Sequence, residues 1–139
     1  MGGEYSTVVK LVADNKCFVC GRENPSGLKI PFKVDREKKT ITCEFTPGTE
    51  YQGFKGITHG GIIATLLDEA MVRLAFDLGI YAVTASIEVR YINPLMSGEK
   101  IHVSASITKE AKRLLEAEAE AHTPDGKPVA KAKAKLIRV

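Results

Sequence analysis

The sequence has no tryptophan, and its five phenylalanines and four tyrosines make up only 6% of 139 residues. A core built from it must rest on aliphatic side chains and alanine. It has only three cysteines, Cys17, Cys20 and Cys43, too few for the disulfide framework of a small secreted domain. The expected compartment is the cytoplasm, where such thiols stay reduced. No apolar run reaches about 18 residues, so no membrane-spanning helix is expected. Val8-Val9-Lys10-Leu11-Val12 carries a charge inside its apolar run and makes a poor signal peptide. Met1-Gly2 with Ser6 fits a myristoylation pattern only loosely, and that pattern is short and common. The net charge is only +3, without a dense basic run interleaved with aromatics, which leaves nucleic-acid binding unsupported.

What is present is enough for a core. Hydrophobic residues are 44% and charged residues 27% of the chain, which argues against a disordered or membrane class. The length predicts one domain over residues 1–139, with 1–16 as an irregular arm. Cys17-Phe18-Val19-Cys20-Gly21 is a Cys-x-x-Cys. Its sharp readings are half a zinc site or a redox pair. A structural zinc site wants four ligands, and only Cys43 and three scattered histidines remain. A redox pair needs a strand–helix context that is absent. A knuckle-like turn packed on the sheet, without metal, is the expectation. Asn24-Pro25-Ser26-Gly27 is turn chemistry.

Leu28 to Val34 reads as a short edge strand broken by Pro31. Thr40–Phe45 alternates, with Ile41, Cys43 and Phe45 inward. Thr49 to Thr58 has no period and reads as a loop, in which Tyr51, Gln52 and Phe54 are candidates to line a ligand mouth, or ordinary loop packing. Tyr81 to Ile92 reads as a long strand, with Val83, Ala85, Ile87, Val89 and Tyr91 on one face and Thr84, Ser86, Glu88 and Arg90 on the other. Lys100 to Thr108 follows, with Ile101, Val103, Ala105 and Ile107 inward.

Residues 109–122 are rich in helix formers, yet Glu116 to Ala121 and Ala130 to Lys135 both alternate with period two. Pro124-Asp125-Gly126-Lys127 between them signals a hairpin. With Asp125 and Gly126 at the tip, Glu120 faces Lys131, Glu118 faces Lys133 and Glu116 faces Lys135. Such opposite-charge cross-strand pairs contribute about 0.2–1 kcal/mol each. The alanines then form a flat face on which a helix lies closely.

The helix is predicted from about Gly60 to Leu78, stopped by Gly79. At 1.5 Å per residue it spans about 28 Å. Ile62, Ile63, Leu66, Leu67, Ala70, Met71, Leu74, Ala75 and Leu78 make it apolar almost all round, so it is expected to be buried. Glu69, Arg73 and Asp77, spaced by four, read as one ion-paired stripe. Asp68 has Ala64, Thr65, Met71 and Val72 as its helical neighbours and no cation among them. A carboxylate in such surroundings tends to a raised pKa, which suits a general base. The competing reading is a hydrogen bond to Thr65 or to a facing strand. His59-Gly60-Gly61 opens the helix, where free backbone N–H groups and glycines admit an acyl oxygen. An oxyanion site there stabilises developing charge on a carbonyl oxygen. A glycine-permitted turn capped by His59 is the alternative.

His59-Gly60-Gly61 followed by Leu66-Leu67-Asp68 resembles the signature of hotdog-fold acyl-CoA thioesterases of the PaaI and THEM types. Cys17-Phe18-Val19-Cys20-Gly21 with Asn24-Pro25 and Gly27-Leu28 is similar to the N-terminal element of one subgroup. The resemblance covers roughly Cys17 to Val139. It implies an α+β hotdog fold: a curled antiparallel sheet of five or six strands wrapped around one long central helix. It implies hydrolysis of an acyl- or aryl-CoA thioester without cofactor or metal. Asp68 would be general base or nucleophile, the Gly60 N–H the polarising group, His59 its support and Thr84 the hydroxyl that orients water or carboxylate. Gly61, Gln52, Phe54, Thr65 and Arg90 are candidate substrate-binding residues, with Lys55 a further candidate for the coenzyme A phosphates. The family builds its site across a homodimer, in which Asp68 faces His59 and Gly60 of the partner subunit; pairing of dimers into tetramers stays open. Some members carry Asn or Gln six residues before the His, where this chain has Gly53, with Gln52 one residue off. A non-catalytic acyl-CoA or acyl-ligand binder is the alternative function, and a dehydratase a weaker one that lacks a clear His–carboxylate arrangement.

Overall fold

The structure, a computed structural model, describes residues 10–139. The loose myristoylation pattern and most of the expected arm lie outside the described residues; 10–16 carry no regular element. In chain order come β1 (Lys33–Asp35), β2 (Thr40–Phe45), a 3₁₀ turn (Thr49–Tyr51), α1 (Gly60–Asp77), β3 (Ala82–Tyr91), β4 (Ile101–Glu110), β5 (Leu114–His122) and β6 (Pro128–Arg138). The strands form one antiparallel sheet in the order β1-β2-β4-β5-β6-β3. The helix lies across its inner face. This is the expected hotdog arrangement of one long helix and six strands.

The inner face is made by alanine. Ala117, Ala119 and Ala121 of β5 and Ala130, Ala132 and Ala134 of β6 are all buried, beside Leu115, Leu136, Ile101 and Val103. Small side chains there let the helix approach the sheet closely. The helix buries Ile63, Leu66, Leu67, Ala70, Met71, Leu74 and Ala75, a stripe at three- and four-residue spacing. It is therefore not buried all round, as its composition predicts. Ile62, Thr65, Asp68, Val72 and Phe76 on the other face are only half-buried within one chain. Burying the stripe alone satisfies the sheet, and the second apolar flank is left for another surface.

The helix ends as predicted. Gly79 takes φ +84°; its N–H reaches the Phe76 carbonyl and the Ile80 N–H the Ala75 carbonyl, the paired bonds of a Schellman cap. Gly79→Ala is expected to cost about 1–2 kcal/mol, because an L side chain is strained in the left-handed region. The check is a lower urea midpoint at unchanged slope.

The β5–β6 register is the predicted one: Glu116 opposite Lys135, Glu118 opposite Lys133, Glu120 opposite Lys131. The turn that produces it differs. The Gly126 N–H bonds to the Thr123 carbonyl and Gly126 takes φ +90°, so Pro124 and Asp125 form the tip and Gly126 is the left-handed residue after it. The register slips by one at the tip and slips back between Ala121 and His122, where Val129 is the extra residue. Among the described residues, Glu116 comes within ion-pair distance of Lys109 (3.9 Å) rather than Lys135.

Three further expectations are corrected. The strand read over Leu28 to Val34 begins only at Lys33; Leu28 and Ile30 instead donate to the carbonyls of Phe18 and Val19, with Lys29 at φ 54° between them. The knuckle at Cys17–Gly21 makes its polar side-chain contacts with the helix rather than with the sheet. And Glu69 does not continue the Arg73–Asp77 ion pair (3.1 Å); it accepts from the thiols of Cys17 and Cys20. Cys43 is buried on β2, where burial and then Glu44 push its thiol up to about 12.

Candidate active site

Asp68 sits near the middle of α1, half-buried, on the flank that the sheet does not cover. Its Oδ1 accepts a hydrogen bond of 2.7 Å from the Thr84 hydroxyl of β3. Among the described residues no cation pairs with it. The facing-strand hydrogen bond read from the sequence as the competing reading for Asp68 is this contact with Thr84.

Strict alternation along β3 would have placed Thr84 with Ser86, Glu88 and Arg90 on the outer face. A bulge between Thr84 and Ser86 changes this. Ala85 is the extra residue, so Thr84 pairs with the inward Leu136 while Ser86 pairs with the outward Lys135. A bulge re-aims side chains by exchanging the two faces of a strand. Here it turns one hydroxyl onto Asp68. Val83 consequently leaves the face it was predicted to share with Ile87, Val89 and Tyr91.

At the start of the helix, His59 is the N-cap, with extended backbone dihedrals (φ −61°, ψ 132°). Its Nδ1 accepts from the Gly61 N–H at 2.8 Å, so the imidazole presents an unprotonated Nδ1 to the turn. The Gly61 N–H is thereby committed to His59 and is not left for a ligand, which narrows the two-glycine reading to Gly60. The Gly60 carbonyl accepts from the Tyr91 hydroxyl at 2.8 Å. A Cβ on Gly60 would lie 3.2 Å from the Tyr91 ring, and one on Gly61 would lie 2.9 Å from His59 Nδ1. A side chain at either position would press on the phenol or the imidazole and require it to shift. Tyr91 was not singled out from the sequence as a site residue; its strand parity marks it as inward, but nothing in the chain ties it to Gly60, 31 residues earlier.

The remaining predicted residues scatter. Thr65 donates to the Gly61 carbonyl at 2.8 Å, inside its own helix. Gln52 Oε1 accepts from the Gly56 N–H at 3.0 Å, closing the loop before the helix. Phe54 is 86% exposed. Lys55 is exposed on the same loop. Arg90 lies on the outer sheet face, opposite Lys131, beside a depression of about 510 Å³ that also involves Glu88, Glu118 and Lys133. That depression contains neither Asp68 nor Gly60. Within one chain, then, Asp68 and Thr84 form one group, His59, Gly60, Gly61 and Tyr91 a second, and Arg90 stands apart.

The two groups are separated by geometry. Asp68 lies eight residue steps along the helix from Gly60, a rise of about 12 Å. A thioester carbonyl polarised by one and a water activated by the other must lie within about 3 Å of each. On a single helix the two groups stand about two turns apart.

Comparison with known proteins places this fold. Rat acyl-coenzyme A thioesterase THEM4 (Rattus norvegicus) is 29% identical over 118 residues, covering 75% of this chain and 51% of the rat protein. Mouse acyl-coenzyme A thioesterase 13 (Mus musculus) is 31% identical over 102 residues, covering 63% of this chain and 73% of the mouse protein. The chain spans about half the length of the rat protein. Among solved structures, a hypothetical thioesterase from Streptococcus pneumoniae, crystallised with coenzyme A, superposes with a TM-score of 0.72 at 14% identity, covering 78% of this chain and 86% of that one. The sequence profile of the thioesterase superfamily matches residues 55–130, which include the helix, Asp68, Thr84 and the His-Gly-Gly turn, and on that match the chain belongs to the thioesterase superfamily.

Proposed function

We propose that the protein hydrolyses the thioester of an acyl- or aryl-CoA, in a site shared between two copies of the chain. The observation that carries this reading is the unpaired Asp68, half-buried on the flank of α1 and held by Thr84. Asp68 acts on water as general base, or attacks the carbonyl itself. The Gly60 N–H at the start of the partner's helix polarises the thioester oxygen, with His59 holding the turn. Gln52, Phe54, Thr65 and Gly61 border the acyl group. Arg90 or Lys55 meets the coenzyme A phosphates. The names of the relatives support the substrate class, since both are called acyl-coenzyme A thioesterases.

Support for the dimer comes from two features. The rise of about 12 Å along the helix between Gly60 and Asp68 favours a site that takes the two groups from different copies. And β3, which among the described residues is bonded only to β6, is a sheet edge ten residues long, with Ile87 39% and Tyr91 52% exposed. A long exposed edge of this kind pairs readily with another strand. Two β3 edges joined antiparallel would continue the sheet and set two helices side by side, half-open flanks inward. The working compartment is the cytoplasm. Among the described residues, no helix is long and apolar enough to cross a membrane.

The hydrogen bond from Thr84 also favours a second reading, in which Asp68 is structurally satisfied and the protein only binds acyl-CoA. A panel of aryl- and alkyl-CoA esters decides between them. Thiol release with turnover over at least one class is the expected result. Saturable binding without release across the panel would leave the binder.

A further inference from the structure

The Cys-x-x-Cys knuckle and the helix come together at a place the hydrolysis does not use. The Cys20 Sγ lies 3.1 Å and the Cys17 Sγ 3.5 Å from the same oxygen, Glu69 Oε2. The three donor atoms all lie within 4.8 Å of one another. Around Cys17 the backbone is shaped as in metal-binding knuckles: the Val19 N–H points at Cys17 Sγ (3.4 Å) and the Gly21 N–H at the Cys17 carbonyl (2.9 Å). Gly21 is required there, since a Cβ would lie 2.3 Å from the Cys17 nitrogen. The group opens on a cleft of about 620 Å³, which Asp14, Lys29 and Phe32 also line.

We propose that Cys17, Cys20 and Glu69 form a binding site for one thiophilic divalent cation of the zinc class. Tetrahedral zinc with bonds of about 2.3 Å to sulfur and about 2.1 Å to oxygen holds those ligands about 3.6 Å apart. The observed 3.5 and 3.1 Å are close to that separation before any rearrangement. In the metal-free protein both thiols donate S–H to Glu69 Oε2. The cation takes the position of those two protons: two S–H bonds break, two metal–sulfur bonds and one metal–oxygen bond form, and two protons leave to solvent. Two thiolates and a carboxylate exceed the charge of a divalent ion by one negative charge. Arg73 offsets part of it, with Nη1 2.9 Å from Cys20 Sγ, while its Nε donates to the Asp77 carboxylate at 3.1 and 3.2 Å. The fourth coordination position faces the cleft and belongs to water, as in open three-ligand zinc sites.

Counting cysteines and histidines in the sequence leaves the knuckle two ligands short. The third ligand is a carboxylate 49 residues from Cys20, brought in by the fold. Its neighbour on the helix is Asp68, so the ion would pin the segment from Cys17 to Ile30 to the element that carries the candidate base. The proposal does not depend on thioesterase activity, and its test does not use it.

Full-length protein, chelator-stripped and kept reduced with a phosphine, is titrated with Zn²⁺ while proton release is followed, and separately with Co²⁺. The expected result is saturation at one ion per chain, release of two protons, a thiolate-to-cobalt charge-transfer band in the near ultraviolet, and a higher melting temperature with Zn²⁺. Glu69→Gln and Cys20→Ser should each weaken binding by at least about tenfold, the lower end of what even outer-shell changes cost. Absence of saturable uptake by the wild-type chain overturns the proposal without recourse to any variant. Uptake that Glu69→Gln leaves unchanged, or that survives Cys17→Ser/Cys20→Ser intact, overturns it as well.

Discussion

Asp68→Asn lowers kcat/KM toward the preferred acyl-CoA by about 10²–10⁴, the contribution of a positioned general base, or roughly 3–5 kcal/mol of transition-state stabilisation. The substitution keeps the shape of the side chain and an oxygen able to accept from Thr84, so the fold and the melting temperature should change little. The loss should fall on kcat, because the carboxylate acts on water and not on the bound ground state. Thr84→Val removes the hydrogen bond at 2.7 Å while leaving the charge. Bonds to charged groups are worth about 1.5–3 kcal/mol, so a smaller fall in kcat is expected, with acyl-CoA binding retained. Steady-state kinetics on both variants, with binding measured separately by calorimetry, provide the check. An Asp68→Asn protein that turns over like wild type would remove Asp68 from the chemistry and leave the binding reading.

The second large effect concerns the core. Leu67 is fully buried between helix and sheet, and with no tryptophan in the chain and aromatics sparse, the core depends on a few aliphatic side chains of this size. Leu67→Ala should cost about 2–5 kcal/mol, since the alanine-lined sheet beneath it is already at close approach and cannot collapse into the space. That is a large share of the 5–15 kcal/mol typical of a domain. At roughly 4 °C per kcal/mol for a chain of this size, the melting temperature should fall by about 8–20 °C, measured calorimetrically. A fall of only a degree or two would mean that the interior repacks, contrary to the flat alanine face described above.

The parts of the fold that rest on periodicity were legible in the chain. The hairpin register followed from Glu116, Glu118 and Glu120 meeting Lys135, Lys133 and Lys131, because charge and parity specify one alignment even when the turn itself is misread. The helix was legible for the same reason, and Gly79 marked its end. What periodicity does not encode was missed. A bulge is invisible to alternation, so the inward turn of Thr84 was reachable only through resemblance to a family. Contacts across long sequence separations were missed too: Tyr91 with Gly60, and Glu69 with the knuckle cysteines. Glu69 was misassigned to Arg73 because spacing by four describes a lone helix and cannot know which neighbours the fold will supply. Half-burial of Asp68's flank had the same origin, since an apolar residue on a helix says that something will cover it but not whether that is a sheet or a second molecule.

The bulge at Ala85 also decides which kinds of genetic change this strand tolerates. Exchanging one small residue for another at that position alters little, for the backbone alone carries the kink. Removing Ala85 would straighten the ladder with Thr84 still opposite the buried Leu136 and Ser86 still opposite Lys135, so the Thr84 hydroxyl would keep its inward aim. A change that instead drew Ala85 into pairing would set Ala85 opposite Leu136 and Thr84 opposite Ile137, and the carboxylate would lose its companion while the sheet still closed around its helix. For this strand, an in-frame loss of that one codon is therefore milder than a substitution that pulls the extra residue into the ladder.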